Sequence, residues 1–153
     1  MNPSLKLQVG ETKVGVWIAP GLVDSLGSCL RESVSGDRVA VLIDRTVDRH
    51  YGARIRKALK GAGWQPAVWE IVPPGERSKN LTRAQSISRR LLDAGIDRWT
   101  PFVAIGGGVV GDLGGYVAST FLRGLPLVHV PTTVVSQVDS SIGGKTGVNF
   151  GGG

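Results

Sequence analysis

Apolar runs alternate along this chain with stretches in which apolar positions recur every three or four residues. Leu5–Val9 and Val14–Ile18, joined by Gly10-Glu-Thr-Lys13, read as a β-hairpin. Beyond the break at Pro20-Gly21, the spacing of Leu22, Val23, Leu26 and Leu30 predicts a helix over Leu22–Val34. Arg38–Ile43 is a continuous apolar strand ending at Asp44, and Asp48 to Ala62 reads as a helix closed by Gly63. Pro66–Val72 predicts the next strand, which Pro73-Pro74-Gly75 ends sharply. Asn80 then caps a helix running to Ala94 and terminated by Gly95. Phe102–Ile105 predicts a strand, Val109–Leu122 a helix, Leu127–Val130 a strand, and a further helix starts near Thr133.

After the hairpin, strand and helix alternate four times, and the strands are unbroken apolar runs. Together these features predict an α/β fold: a Rossmann-like, mostly parallel sheet with helices on both faces, preceded by a β-hairpin. The 153 residues suffice for one domain with a core of its own. At 41% hydrophobic residues, wholesale disorder is excluded. Ligands of such sheets bind beyond the carboxyl ends of strands. Those ends carry Asp44, the Pro73–Lys79 loop, Gly106–Gly108 and Thr132-Thr133.

Composition sharpens this picture. The 23 glycines are roughly twice the ordinary share and cluster in 106–115, 143–147 and 151–153, which points to tight turns and close ligand approach. The formal charge is +6, but Arg31, Arg38, Arg45, Lys57, Lys60, Arg83, Arg89 and Arg90 are dispersed without interleaved aromatics. That favours an anionic small molecule or a solvated basic surface over nucleic acid. A single cysteine, Cys29, allows no internal disulfide and suits a reducing, cytoplasmic setting; its apolar helical context predicts a buried thiol. No apolar run approaches the ~20 residues that span a bilayer, and the first residues lack the apolar core of a leader, so no membrane association is expected.

The chemistry concentrates in 102–149. Gly106-Gly107-Gly108-Val-Val-Gly111-Asp112 follows a strand and opens a helix. Missing side chains let a pyrophosphate approach the backbone, and a helix amino end favours its charge. The glycine spacing departs from the Rossmann fingerprint, and the strand-end acid, Asp44, precedes the glycines instead of following them by about 20 residues. Asp112, expected in the first turn of its helix, could serve only as a helix-stabilising acid. Asp44 could be a cap, and Glu76 and Lys79 simple loop charges; their shared location at strand ends raises all of them as candidates. Asp139-Ser-Ser-Ile-Gly-Gly-Lys145-Thr146 resembles a P-loop only superficially, because a helix precedes it and an extended stretch follows. Lys145 remains a candidate for holding a carboxylate or phosphate. His50 and His129 lie far apart, so no metal site is expected within the chain. Trp17, Trp64, Trp69 and Trp99 are scattered and read as packing residues.

Gly-Gly-Gly-Val-Val-Gly-Asp-Leu-Gly-Gly-Tyr-Val-Ala, Phe-Leu-Arg-Gly-Leu-Pro, Val-Pro-Thr-Thr and Gln-Val-Asp-Ser-Ser-Ile-Gly-Gly-Lys-Thr-Gly-Val-Asn, with Pro-Pro-Gly-Glu-Arg-Ser-Lys-Asn upstream, resemble the 3-dehydroquinate synthase family in order and spacing. The resemblance is strong over 72–149 and looser before. It implies that residues 1–153 are an NAD-binding α/β domain, similar in fold to glycerol and iron-type alcohol dehydrogenases. A C-terminal helical domain, carrying a divalent metal (Zn or Co) in the full-length enzyme, would lie outside the chain. The implied reaction is a shikimate-pathway lyase step, from 3-deoxy-D-arabino-heptulosonate 7-phosphate to 3-dehydroquinate and phosphate. In it a ring alcohol is oxidised with NAD, phosphate is eliminated, the ketone is reduced again, and ring opening with aldol closure forms the carbocycle. By motif position the resemblance assigns Asp44, Glu76 and Lys79 to the adenosine ribose end of NAD. It assigns Gly106, Gly107, Gly108 and Asp112 to the pyrophosphate and nicotinamide side, and Thr132 and Thr133 to the cofactor's phosphate or adenosine part. Asp139 and Lys145 are implied at the sugar-phosphate substrate, and Arg123 at its phosphate across the contact of a homodimer.

Two departures bear on activity. Phe150 stands where many members carry His, and Gly151–Gly153 replace a Pro-Leu-Gly sequence. The family's later Lys-Asn motif and Glu/His/His ligands do not occur, so the expectation is a truncated chain that folds at least partly without turning over substrate. Alternatives are a related sugar-phosphate cyclase, of the 2-deoxy-scyllo-inosose or valiolone synthase type, and a non-catalytic NAD-binding or dimerising fragment. An isolated domain would also expose apolar surface where a second half normally packs.

Overall fold

The computed structural model describes residues 2–142 and 144–151, so Gly143, Gly152 and Gly153 of the glycine clusters lie outside the described residues. Leu5–Val9 (β1) pairs antiparallel with Thr12–Val16 (β2). The second strand starts and ends two residues before the expected Val14–Ile18, because the turn needs only Gly10 and Glu11. Gly10 supplies the left-handed first position, φ 59°, that a two-residue hairpin turn requires.

The expected Leu22–Val34 helix is divided. A 3-10 turn, Leu22–Ser25, leads into α1, Leu26–Ser33, with Ser25 leaving helical geometry between them. Arg38–Asp44 (β3) runs directly into Arg45–Gly61 (α2), three residues ahead of the expected start at Asp48. The reason is Asp44, whose Oδ1 accepts the amides of Thr46 at 2.7 Å and Val47 at 3.3 Å. Gln65–Val72 (β4) follows, then Leu81–Asp93 (α3), which Asn80 caps through the Arg83 amide at 2.8 Å, as its sequence predicts. Phe102–Gly106 (β5), Gly108–Thr120 (α4) and Leu127–Pro131 (β6) complete the framework. Helix α4 stops two residues short of Leu122. Leu122 and Arg123 both adopt left-handed backbone, φ 49° and 68°, and with Gly124 they turn the chain back toward β6.

The four strands β4-β3-β5-β6 are all parallel. Their side chains divide by alternation between two buried layers. Val39, Val41, Ile43, Val103 and Ile105 meet Leu26 and Leu30 of α1 and Ile55 and Leu59 of α2. Ala40, Leu42, Phe102 and Ala104 meet Ile87 and Leu91 of α3 and Val110, Leu113 and Val117 of α4. Helices therefore cover both faces, as the unbroken apolar strands predict. A glycine sets the depth of one contact: a Cβ on Gly114 would come within 2.8 Å of Ala104 Cβ, so its absence lets α4 lie close on β5.

Candidate functional site

The chain lays β4 on one side of β3 and then crosses to place β5 on the other. This reversal opens a crevice beyond the carboxyl ends of β3 and β5, the position where doubly wound sheets take ligands. Asp44 ends β3 and the Gly106-Gly107 bend ends β5. A Cβ on Gly106 would approach Val110 Cβ to 2.9 Å and Asp44 Cβ to 3.3 Å, so this glycine lets the two strand ends close up. Gly107 is needed for a similar reason, since a Cβ there would meet Thr133 Cγ2 at 3.2 Å. Gly108 and Gly111 are more open: a Cβ on either would make only ordinary contacts, with Ser140 and, for Gly111, His129. None of these four glycines adopts a left-handed conformation; close approach, not backbone freedom, is what they provide.

Helix α4 begins at this bend with no side-chain cap. Its first helical bond runs from the Gly111 amide to the Gly107 carbonyl at 3.1 Å. The amides of Gly108, Val109 and Val110 precede it and point out of the helix amino end, a polar concavity suited to a diphosphate. Asp112 is the fifth residue of α4, not in its first turn as expected, because the helix starts at Gly108. Its carboxylate is consequently aimed sideways, at Lys79.

Lys79 is the hub of the next cluster. Its Nζ lies 2.5 Å from Glu76 Oε1 and 3.2 Å from Asp112 Oδ2, with 18% of the side chain exposed. The bond to Glu76, supplemented by Asp112, raises the lysine's pKa, while Lys79 and then Asn149 hold the Glu76 carboxyl below the usual carboxylate range. Three of the expected residues thus form one connected group, which ties the Glu76–Lys79 loop to α4.

Thr132 and Thr133 leave β6 beside the bend, where the Thr132 amide donates to the Gly106 carbonyl at 2.9 Å. Thr133 opens a short helix over 134–140, whose last five residues are wound as a π-helix. Ser136, 2% exposed, accepts the Thr133 amide at 3.1 Å, and its Oγ lies 2.9 Å from Thr133 Oγ1. The sequence reading overlooked Ser136, although Thr-x-x-Ser at a helix start is a reciprocal capping pattern that could have flagged it. It also overlooked Asn149. His129, on β6, faces α4 beside Gly111; burial pushes its imidazole pKa down, with Asp112 opposing.

Asp139 and Lys145 stand farther out, both more than half exposed and paired with each other at 2.7 Å. This partnership raises the Lys145 pKa. Arg123 does not join them: it precedes β6 and so sits at the amino edge of the sheet, opposite the crevice. Among the described residues no group of three His, Cys, Asp or Glu could hold a metal ion, and no helix is long and apolar enough to cross a membrane.

Comparisons with known proteins place the chain by family and fold. Residues 69–153 match the family described as 3-dehydroquinate synthase N-terminal. A 3-dehydroquinate synthase of Symbiobacterium thermophilum is 47% identical over 145 residues, 94% of this chain and 40% of the relative. The chain spans about two fifths of the length of the curated relatives it matches. A crystal structure of 2-deoxy-scyllo-inosose synthase, complexed with carbaglucose-6-phosphate, NAD+ and Co2+, superposes with a TM-score of 0.82 at 25% identity, covering 97% of this chain and 41% of that one. A 2-epi-5-epi-valiolone synthase from Streptomyces hygroscopicus, with NAD+ and Zn2+ bound, gives 0.76 at 30% identity over 94% of this chain and 39% of its own.

Proposed function

Since the chain belongs to the 3-dehydroquinate synthase family, we propose that its crevice binds NAD and that it serves as the cofactor-binding domain of a dehydroquinate synthase. The observation that carries this reading is the uncapped amino end of α4, opening between the ends of β3 and β5 beside Asp44. Main-chain amides there grip the diphosphate. Asp44 Oδ1 is occupied as a helix cap, leaving Oδ2 for a ribose hydroxyl, while Glu76 and Lys79 bound the adenosine side. Thr132 and Thr133 frame the opposite wall, and Gly106, Gly107, Gly108 and Asp112 line the floor. When bound, the dinucleotide supplies reversible hydride transfer.

The whole reaction, phosphate elimination from 3-deoxy-D-arabino-heptulosonate 7-phosphate in the shikimate pathway and in the cytoplasm, needs more than this chain's residues. Asp139 and Lys145 offer a carboxylate and an ammonium to an anionic sugar phosphate, and binding such a ligand at Lys145 must open their mutual pair. Arg123 would reach that phosphate only from a second copy in a homodimer. No metal set exists among the described residues, so the residues present do not fit a divalent ion, and no step is assigned to one. Val134, Val135, Val138 and Ile142 present exposed apolar side chains along one side of the 134–142 segment. A second, metal-bearing domain would cover them, and the chain alone would not turn over. Identity of 47% to a dehydroquinate synthase against 25–30% to the two cyclases favours this substrate over theirs.

The test is calorimetric titration of the chain with NAD, beside Asp44→Ala and an unrelated nucleotide. Saturable binding of NAD that Asp44→Ala weakens at least tenfold is expected. Equal binding of both nucleotides, or none, overturns the reading. Steady turnover of the heptulosonate phosphate by this polypeptide alone would refute the expected inactivity.

A further inference from the structure

The stretch after the 134–140 helix is fastened back onto the site at several points. Thr146 lies so close against Gly115 of α4 that a methyl group on the glycine would overlap it. The Gly147 amide donates to the Asp112 carbonyl at 3.3 Å, and the Asn149 amide donates to the Lys79 carbonyl at 2.8 Å. The second of these bonds belongs to a one-residue parallel bridge between Asn80 and Asn149. The Asn149 side chain is engaged too: Nδ2 donates to Glu76 Oε1 at 3.2 Å. That oxygen is the one Lys79 Nζ engages, and Nζ extends in turn to Asp112.

Glu76 on its loop, Asp112 on α4 and Asn149 on the last segment are distant in sequence, yet Lys79 joins all three. The Glu76 side chain is 57% exposed, so its orientation depends on the donors that hold it. An amide nitrogen is suited to this place. It adds a neutral donor to a carboxylate oxygen already shared with an ammonium, whereas a carboxylate at 149 would face Glu76 with like charge.

We propose that Asn149 is a positioning residue, which fixes Glu76 and Lys79 toward the crevice and anchors to the same loop the segment that carries Lys145. The inference rests on the dinucleotide reading of the crevice for its functional consequence. Loss of the latch frees the Glu76 carboxylate to swing into solvent and weakens the grip on the cofactor's ribose end.

The experiment uses the 153-residue chain, with Asn149→Ala, Asn149→Asp, Glu76→Gln and the Glu76→Gln/Asn149→Asp double variant. Each is titrated with NAD at a temperature where circular dichroism shows it folded, and amide exchange at Gly147 and at position 149 is followed by NMR. Asn149→Ala is expected to weaken NAD binding about threefold to tenfold. Asn149→Asp, nearly isosteric and retaining the main-chain bond, should weaken it further, and this loss should shrink in the Glu76→Gln background. A packing role alone makes Asn149→Asp bind like the wild type with only Asn149→Ala impaired; that order, or unchanged affinity in both, overturns the proposal. If the wild type takes up no NAD, the dinucleotide reading fails on its own, and amide exchange decides the latch. Exchange at least tenfold faster in Asn149→Asp than in wild type upholds it, and equal exchange overturns it.

Discussion

The Gly106–Gly111 bend and the 134–149 segment border the same crevice but are built in opposite ways. The bend is closed from beneath: β5 is buried throughout, and Gly106 and Gly107 are hemmed in by Val110, Asp44 and Thr133. The segment is open to its outer side, with Val134 75% and Val138 73% exposed, and Asp139 and Lys145 paired with each other at the surface. One wall of the site is finished by the domain's own core. The other is anchored on its inner edge, at Thr146, Gly147 and Asn149, and unfinished outside. The bend is therefore set by the core before any ligand arrives, while the outer segment depends on what faces it.

Substitutions on the two walls should part accordingly. Gly114→Ala, pressing a methyl group onto Ala104, should cost about 1–3 kcal/mol, read as a lower urea midpoint with an unchanged slope. A midpoint equal to wild type would mean that α4 floats on β5, and the contrast between the walls would vanish. A smaller effect concerns His129. Burial depresses its pKa, so the unfolded chain takes up a proton first as pH falls below about 6.5. Stability therefore drops on acidification through that window, and His129→Gln should lose less of its urea midpoint between pH 7.5 and 5.5 than wild type. Parallel losses would show that the imidazole titrates alike in both states. The smallest change is expected at Val138→Asp on the open side, which should shift stability by no more than about 0.5 kcal/mol. A loss above about 2 kcal/mol there would show that the 134–140 helix is covered in the isolated chain.

The framework was legible in the sequence because it is written in uniform apolar runs. Val39–Ile43 and Phe102–Ile105 are buried on both faces, and such strands carry no polar interruptions to mislead. Asn80 announces its helix by residue type alone. Errors gathered where one residue serves two elements. Asp44 ends a strand and caps a helix, which moves the α2 start to Arg45. Leu122 and Arg123 look helical by spacing but adopt a conformation that side chains disfavour, held by the bonds of Gly124 to Phe121 and Leu125 to Ala118. Within the site, motif order marked Glu76, Lys79 and Asp112, but not that one ammonium bridges both acids. Ser136 was within reach of its local Thr-x-x-Ser pattern, but Asn149 escaped because its partner, Glu76, lies 73 positions away along the chain, which no local pattern encodes.

The left-handed turn at Leu122 and Arg123 has a consequence for stoichiometry. Five residues of β6, roughly 15 Å of extended chain, separate the guanidinium from the rim where an anion would rest. A solitary molecule cannot fold that cation around to its own cleft. On the proposed reading, any help it gives in capturing a phosphoryl group would be lent to a neighbour and should fade upon dilution.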